Sequence, residues 1–234
     1  MIVILTGAGI SADSGIATFR DSDGLWANYR IEDVCTPEAL VRNRAQVIEF
    51  YNIRRKELLE KEPNAAHLAL AELEQEEDVC IITQNIDDLH ERAGSKNIVH
   101  LHGELRKLRS SRNEMSTVKI DGWEQKLEDR HSDGSLLRPF VVFFGESVPM
   151  LEHAIEITEK ADILIIIGTS LNVYPAASLV HYVRPDVPIY IVDPAVGDAT
   201  AAFKAPHIPN PITYVAERAA VGVPELVKQL KIKK

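Results

Sequence analysis

The polar run Thr83-Gln84-Asn85-Ile86-Asp87 closes the apolar, β-branched segment Val79–Ile82. If that segment is a strand, the amide of Asn85 and the carboxylate of Asp87 project from its carboxyl end. In an open parallel sheet, ligands bind at that edge. Asn and Asp at a strand end also cap following helices, and the two roles are compatible. A second chemical candidate is His102, placed before Gly103 where the chain breaks from an extended run. An imidazole that titrates near pH ~6.5 is suited to take a proton at neutral pH. His100 stands two residues earlier, shares one face of a strand with His102, and reads as a supporting neighbour. His67, His90, His153 and His181 fall in helical or surface patterns and call for no chemical role.

Two further stops lie after apolar runs. Ile2–Leu5 leads into Thr6-Gly7-Ala8-Gly9-Ile10-Ser11, and Ile163–Ile167 into Gly168-Thr169-Ser170. Small residues straight after a buried strand let backbone N–H groups approach a diphosphate, and hydroxyls can bond phosphate or ribose. The third glycine of the usual dinucleotide fingerprint is missing, which argues against an ordinary dehydrogenase. Phe19, Arg20 and Trp26 follow, an aromatic pair and a cation suited to a nicotinamide ring and a phosphate.

These groups need a frame. The runs Ile2–Leu5, Val79–Ile82, Phe140–Phe144, Ile163–Ile167 and Ile189–Val192 are apolar without alternation, as buried parallel strands are. Helical patterns run from Arg44 to Glu60, onward from Asn64 behind Pro63, and from Pro175 to Val183. Strand–helix alternation predicts an α/β fold with a doubly wound parallel sheet. The segment Glu104 to Arg138 is rich in charge and poor in apolar residues, and predicts a solvated, partly mobile insertion with little core. The formal charge of −9 argues against a nucleic-acid face. Neither a membrane span nor a signal peptide is predicted. With only Cys35 and Cys80, a disulfide is not expected and the compartment reads as cytoplasmic.

Gly7-Ala8-Gly9-Ile10-Ser11, followed by Gly15-Ile16-Ala17-Thr18-Phe19-Arg20, resembles the sirtuin signature. Three blocks resemble the family in the same order: Thr83 to Asp87, His102-Gly103-Glu104, and Gly168-Thr169-Ser170. The resemblance implies one catalytic domain over residues 1–234. Its Rossmann-like, NAD-binding lobe would be built from about 1–20, 78–104 and 139–234, and its small lobe from insertions at about 21–77 and 105–138. It also implies an NAD-dependent protein-lysine deacylase in which NAD is a consumed co-substrate. An acyl-lysine carbonyl oxygen displaces nicotinamide, His102 activates a ribose hydroxyl, and the acyl group leaves on ADP-ribose. Asn85 and Asp87 would orient the carboxamide and ribose, with Gln84 and Ile86 beside them. Gly7, Ala8, Gly9, Ser11, Phe19, Arg20, Trp26, Gly168, Thr169, Ser170, Asp193 and Ala219 complete the implied NAD contacts. Val141, Phe144, Gly145 and Glu146 would pair with substrate backbone opposite Val173 and Tyr174, adding an acyl-lysine peptide as a strand. A sirtuin-type protein ADP-ribosyltransferase is the alternative.

Three positions depart from the family pattern. Ile191-Val192-Asp193-Pro194 lacks the usual ribose-contacting asparagine. The insertion Leu105–Arg138 holds no cysteine, so no zinc is expected; Ser110 and His131-Ser132-Asp133 stand near the usual ligand places. Tyr51 and Arg54, three apart on one helix face, resemble the pair of sirtuins that prefer acidic acyl groups. Cys35 would be the small residue that widens such a pocket.

Overall fold

A computed structural model describes residues 1–17, 29–196 and 206–232. Phe19, Arg20 and Trp26 lie outside the described residues. The chain runs β1 (Ile2–Thr6), α1 (Gly9–Ala12), α2 (Ile31–Val34), α3 (Pro37–Arg42), α4 (Arg44–Leu59), α5 (Ala65–Glu76), β2 (Val79–Thr83), α6 (Leu89–Ala93) and β3 (Ile98–His100). It continues through β4 (Gly103–Ser110), β5 (Thr117–Lys119), β6 (Leu137–Val141), α7 (Leu151–Thr158), β7 (Ile163–Ile167), a 3-10 helix (Ala176–Tyr182), β8 (Ile189–Val192), β9 (Ile212–Val215) and α8 (Ala219–Ile232).

Six strands form one parallel sheet in the order β3-β2-β1-β7-β8-β9. Successive side chains alternate faces, and both faces are covered. Val3, Leu5, Cys80, Ile82, Leu164 and Ile166 pack into one cluster with the 3-10 helix and α7. Ile2, Ile4, Val79, Ile81, Ile165 and Ile167 pack into the other with α5 and α8. That double burial is why these strands read as unbroken apolar runs. The chain winds outward from β1 through β2 and β3, then returns to β7 on β1's other side, so the carboxyl ends of β1 and β7 flank a switch point.

One expectation is corrected here. Phe140–Phe144 is not a strand of the parallel sheet: β6 covers Leu137–Val141 and pairs antiparallel with β4 in a second sheet of order β5-β4-β6. A short apolar run fits either kind of strand, and its neighbours decide. The charged insertion has a core as small as its composition suggests, and borrows further support from α4. Leu108, Ile120 and Leu137 form a small core with Val118 against them. Polar side chains of α4 supply the rest. Arg44 donates to the carbonyls of Leu127 and Leu137 (2.6 Å for the latter), Asn52 to Gln125 (2.9 Å), and Arg55 to Trp123 (2.8 Å). Two smaller differences follow. The Pro175–Val183 pattern folds as a 3-10 helix, and His102 lies beyond β3, so it does not share a strand with His100.

Candidate active site

A cavity of about 780 Å³ opens along the carboxyl edge of the parallel sheet. It is lined by Gly7, Ala8, Gly9 and Ser11 after β1, by Gln84, Asn85, Ile86 and Asp87 after β2, and by Gly168, Thr169 and Ser170 after β7. Asp193 after β8 and His102 also face it, as do Cys35, Tyr51, Arg54, Val141, Phe144, Gly145, Glu146, Val173 and Tyr174. Ala219 is the exception among the described candidates. It is buried in the sheet's core at the start of α8 and does not line the cavity.

The glycines after β1 are also required by packing. Gly168 has φ +60°, and a Cβ there would meet the Ile10 nitrogen at 2.4 Å and the Gly9 carbonyl carbon at 2.5 Å. Only glycine permits both that backbone and that approach. Several of the N–H groups expected to face a diphosphate are bonded internally: Gly7 to Ile167 O, Gly9 to Gly168 O, Ile10 to Gly7 O and Ser11 to Ala8 O. Polar side chains of Ser11, Gln84, Asn85, Asp87, Thr169 and Asp193 line the cavity, a set of donors and acceptors that fits NAD.

Four successive carbonyls, from Thr83 to Ile86, accept hydrogen bonds from the stretch 100–105. Leu101 N donates to Thr83 (2.9 Å), His102 Nδ1 to Gln84 (2.9 Å), His100 Nδ1 to Asn85 (3.2 Å) and Leu105 N to Ile86 (2.7 Å). The loop's side chains then bond across to the β1 loop. Asn85 Nδ2 reaches Gly7 O (3.1 Å) and Ser11 Oγ (3.2 Å), and Ser11 Oγ donates to Asp87 Oδ2 (3.0 Å). Asp87 Oδ1 accepts from Leu89 N at 3.2 Å, so it caps α6 while facing the cavity. Burial raises the Asp87 carboxyl, partly offset by the Leu89 N–H and the Ser11 hydroxyl.

For His102, burial lowers the pKa and the Gln84 carbonyl only partly restores it. The ring is therefore neutral at pH 7, with its proton on Nδ1 facing Gln84 O and its lone pair on Nε2. That is the state and tautomer a general base requires.

On the opposite wall, Tyr51 is fully buried and its hydroxyl donates to Cys35 Sγ at 3.3 Å. Burial carries the phenol well above its usual range and raises the Cys35 thiol, so both stay neutral. Phe143 stacks on Tyr51 (ring centroids 5.8 Å apart) and carries the Arg138 guanidinium on its ring at 4.1 Å. Glu146 locks this corner, accepting from Arg138 (2.6 Å), Arg109 (3.2 Å) and Phe143 N (2.8 Å). Phe143 was not among the sequence candidates, although period-two reading of Val141-Val142-Phe143-Phe144 separates an inward Phe143 from an exposed Phe144.

At the insertion, Ser110 Oγ donates to Asp133 Oδ2 (2.6 Å) and bonds Ser135 Oγ (2.8 Å), while both ring nitrogens of His131 are engaged, by Ser116 Oγ and Asp133 N. Neutral hydroxyls already bonded to one carboxylate are not the thiolate set of a structural zinc site, and the residues do not fit that metal. Both cysteines lie elsewhere, buried.

A polar cleft at the switch point of a doubly wound parallel sheet marks the class of α/β proteins that bind dinucleotides at the carboxyl ends of their strands. The Sir2 family model matches residues 7–175, and the chain belongs to the Sir2 family, the sirtuins. It is 52% identical to an NAD-dependent protein deacylase of Bacteroides thetaiotaomicron, over 99% of this chain and 97% of that one. It is 48% identical to an NAD-dependent protein deacylase of Helicobacter pylori, over 98% and 96%. A Sir2 homologue solved as a complex with NAD superposes with a TM-score of 0.86 at 39% identity, covering 99% of this chain and 90% of that one.

Proposed function

We propose that this chain is an NAD-dependent protein-lysine deacylase that transfers the acyl group to ADP-ribose and releases nicotinamide. The observation that carries the reading is His102, a neutral imidazole whose Nδ1 is fixed on Gln84 O within the cavity that Asn85 and Asp87 line. Asn85 and Asp87 orient the carboxamide and ribose of NAD, Ser11 ties them together, and His102 Nε2 takes the proton of a ribose hydroxyl. Thr169, Ser170 and Asp193 serve the ribose and phosphate side.

The acyl-lysine peptide lies as a strand between 144–146 and 173–174, whose Phe144, Val173 and Tyr174 side chains are exposed at the rim. Phe144 N already bonds Cys35 O, and Val173 O already accepts from Ala177 N, so other backbone groups of these segments hold the peptide. Tyr51, Arg54 and Cys35 receive the acyl group, and a carboxylate-bearing acyl such as succinyl or malonyl is favoured. The acidic surface suits basic, lysine-bearing partners, and two buried thiols suit the cytoplasm. Among the described residues no helix is long and apolar enough to cross a membrane.

The test is nicotinamide release with and without an acylated peptide, followed by mass analysis of peptide and ADP-ribose product. Release that depends on peptide and stops in His102→Ala, with NAD binding retained, is expected. Release independent of peptide, with ADP-ribose left on protein, supports the ADP-ribosyltransferase reading instead.

A further inference from the structure

His100 is a partly buried histidine for which general-base chemistry has no use. Its ring makes two short contacts that differ in kind. Nδ1 lies 3.2 Å from the Asn85 carbonyl oxygen, and Nε2 lies 2.7 Å from Glu91 Oε1 on α6. A carbonyl can only accept, so the Nδ1 proton is fixed there. A lone pair on Nε2 would then face a carboxylate oxygen at contact distance, whereas an N–H there makes a charge-assisted bond. Both contacts are satisfied only by the imidazolium. Burial works against that charge, but Glu91 and then Glu104 outweigh it and hold His100 above the ordinary histidine range.

We propose that Glu91 and His100 act as a positioning pair for the NAD-binding loop, with His100 anchoring the Asn85 backbone from the same stretch that carries the general base His102. The proposal rests on the deacylase reading for its substrate, NAD. Its geometry is local. The Asn85 side chain spans Gly7 O and Ser11 Oγ, and Ser11 bonds Asp87, so a displacement of the Asn85 backbone moves all the polar groups assigned to the carboxamide and ribose. His102 grips the neighbouring carbonyl of Gln84, which couples the height of the loop to the position of the base. Charged groups facing His100 are Glu91 on α6, Glu104 on β4 and the Asp87 carboxylate, which the His100 charge favours in turn, with Lys107 already paired to Glu104 at 2.6 Å. Glu91, His100 and Glu104 could geometrically hold a metal ion, but the Glu91–His100 bond and Lys107 already occupy those donors.

The test compares His100→Phe, which keeps ring bulk and removes both donors, with His100→Asn, whose amide can still donate near the Nδ1 position. Glu91→Gln is the third variant. NAD binding is read by thermal shift and by KM for NAD, and peptide binding by KM for the acyl peptide at saturating NAD. Losing one such bond to a critical backbone carbonyl should raise the KM for NAD about tenfold in His100→Phe. The peptide KM should stay within about twofold, and His100→Asn should recover most of the loss. Equal impairment in His100→Phe and His100→Asn, or parallel rises in both KM values, overturns the assignment. If His100→Phe does not fold, Glu91→Gln decides, since it is expected to weaken NAD selectively and an unchanged KM for NAD overturns the proposal. Because NAD binding is measured directly, failure of wild type to deacylate would count against the functional reading and not against the positioning pair.

Discussion

Replacing Arg54 with methionine keeps a long apolar stem on α4 and removes the one guanidinium that, among the described residues, lines the cavity with Tyr51 and Cys35. A succinyl carboxylate entering beside Tyr51, Cys35 and Phe143 loses its water, and it binds only if donors of the right charge replace it. A hydrogen bond to a charged group contributes about 1.5–3 kcal/mol, so Arg54→Met should lower desuccinylation kcat/KM by roughly ten- to a hundredfold. Coulomb attraction of ~4 kcal/mol at 4 Å and an effective dielectric of 20 sets the ceiling, near a thousandfold. Tyr51→Phe should cost less, because the phenol is neutral and its present acceptor is only the Cys35 thiol at 3.3 Å. About three- to tenfold is expected, the scale of one neutral hydrogen bond. Acetyl-lysine has no carboxylate, and its kcat/KM should change by less than about threefold in either variant. The assay is kcat/KM on matched succinyl and acetyl peptides. If both substrates fall by one factor, Arg54 and Tyr51 are structural and the acidic-acyl reading fails, while the deacylase reading stands.

Further outcomes test the site and its support. Because burial lowers the His102 pKa and the neutral ring is the active form, the acid limb of kcat/KM should have its midpoint below the ordinary histidine value of ~6.5; a midpoint above neutrality refutes the assignment. His67, buried beside His90 on α6 with ring centroids 4.9 Å apart, is pushed by burial down to about 4. Its folded value is depressed, so its stabilising contribution is complete above ~pH 6.5 and is lost as pH falls towards that folded value, roughly 3 kcal/mol in all. His67→Gln keeps a side-chain acceptor for the Asn64 N–H in the capping box and should flatten that slope in urea titrations; an unchanged slope disproves the attribution. Elemental analysis of the purified protein should find no stoichiometric zinc, and chelators should leave Tm unchanged; one zinc per chain would overturn the hydrogen-bonded reading of Ser110, Asp133 and Ser135.

The sequence by itself determined the parallel strands and their polar stops. Ile2–Leu5, Val79–Ile82 and Ile163–Ile167 are buried on both faces, so nothing but an apolar run can occupy them. Chemistry is confined to the residues that end them, and that is where Asn85, Asp87 and Thr169 stand. What sequence could not decide was every partner set by the third dimension. Phe140 to Phe144 looked like one more core strand, but only Phe140 and Val141 are in one: β6, which also takes in Leu137, Arg138 and Pro139 and pairs with β4 in the antiparallel sheet. The glycines of the first loop read as phosphate contacts; the sequence did not show that they are also constrained by Gly168, some 160 residues away and pressed against Gly9. The insertion read as having little core, which it has, but the hydrogen bonds from Arg44, Asn52 and Arg55 that hold its backbone leave no trace in its own composition. His102 looked like a general base and His100 like its supporting neighbour on one strand face. Only the tertiary structure placed both rings on consecutive carbonyls of the same loop, because a hydrogen bond depends on where a distant chain segment passes and not on the residue that makes it.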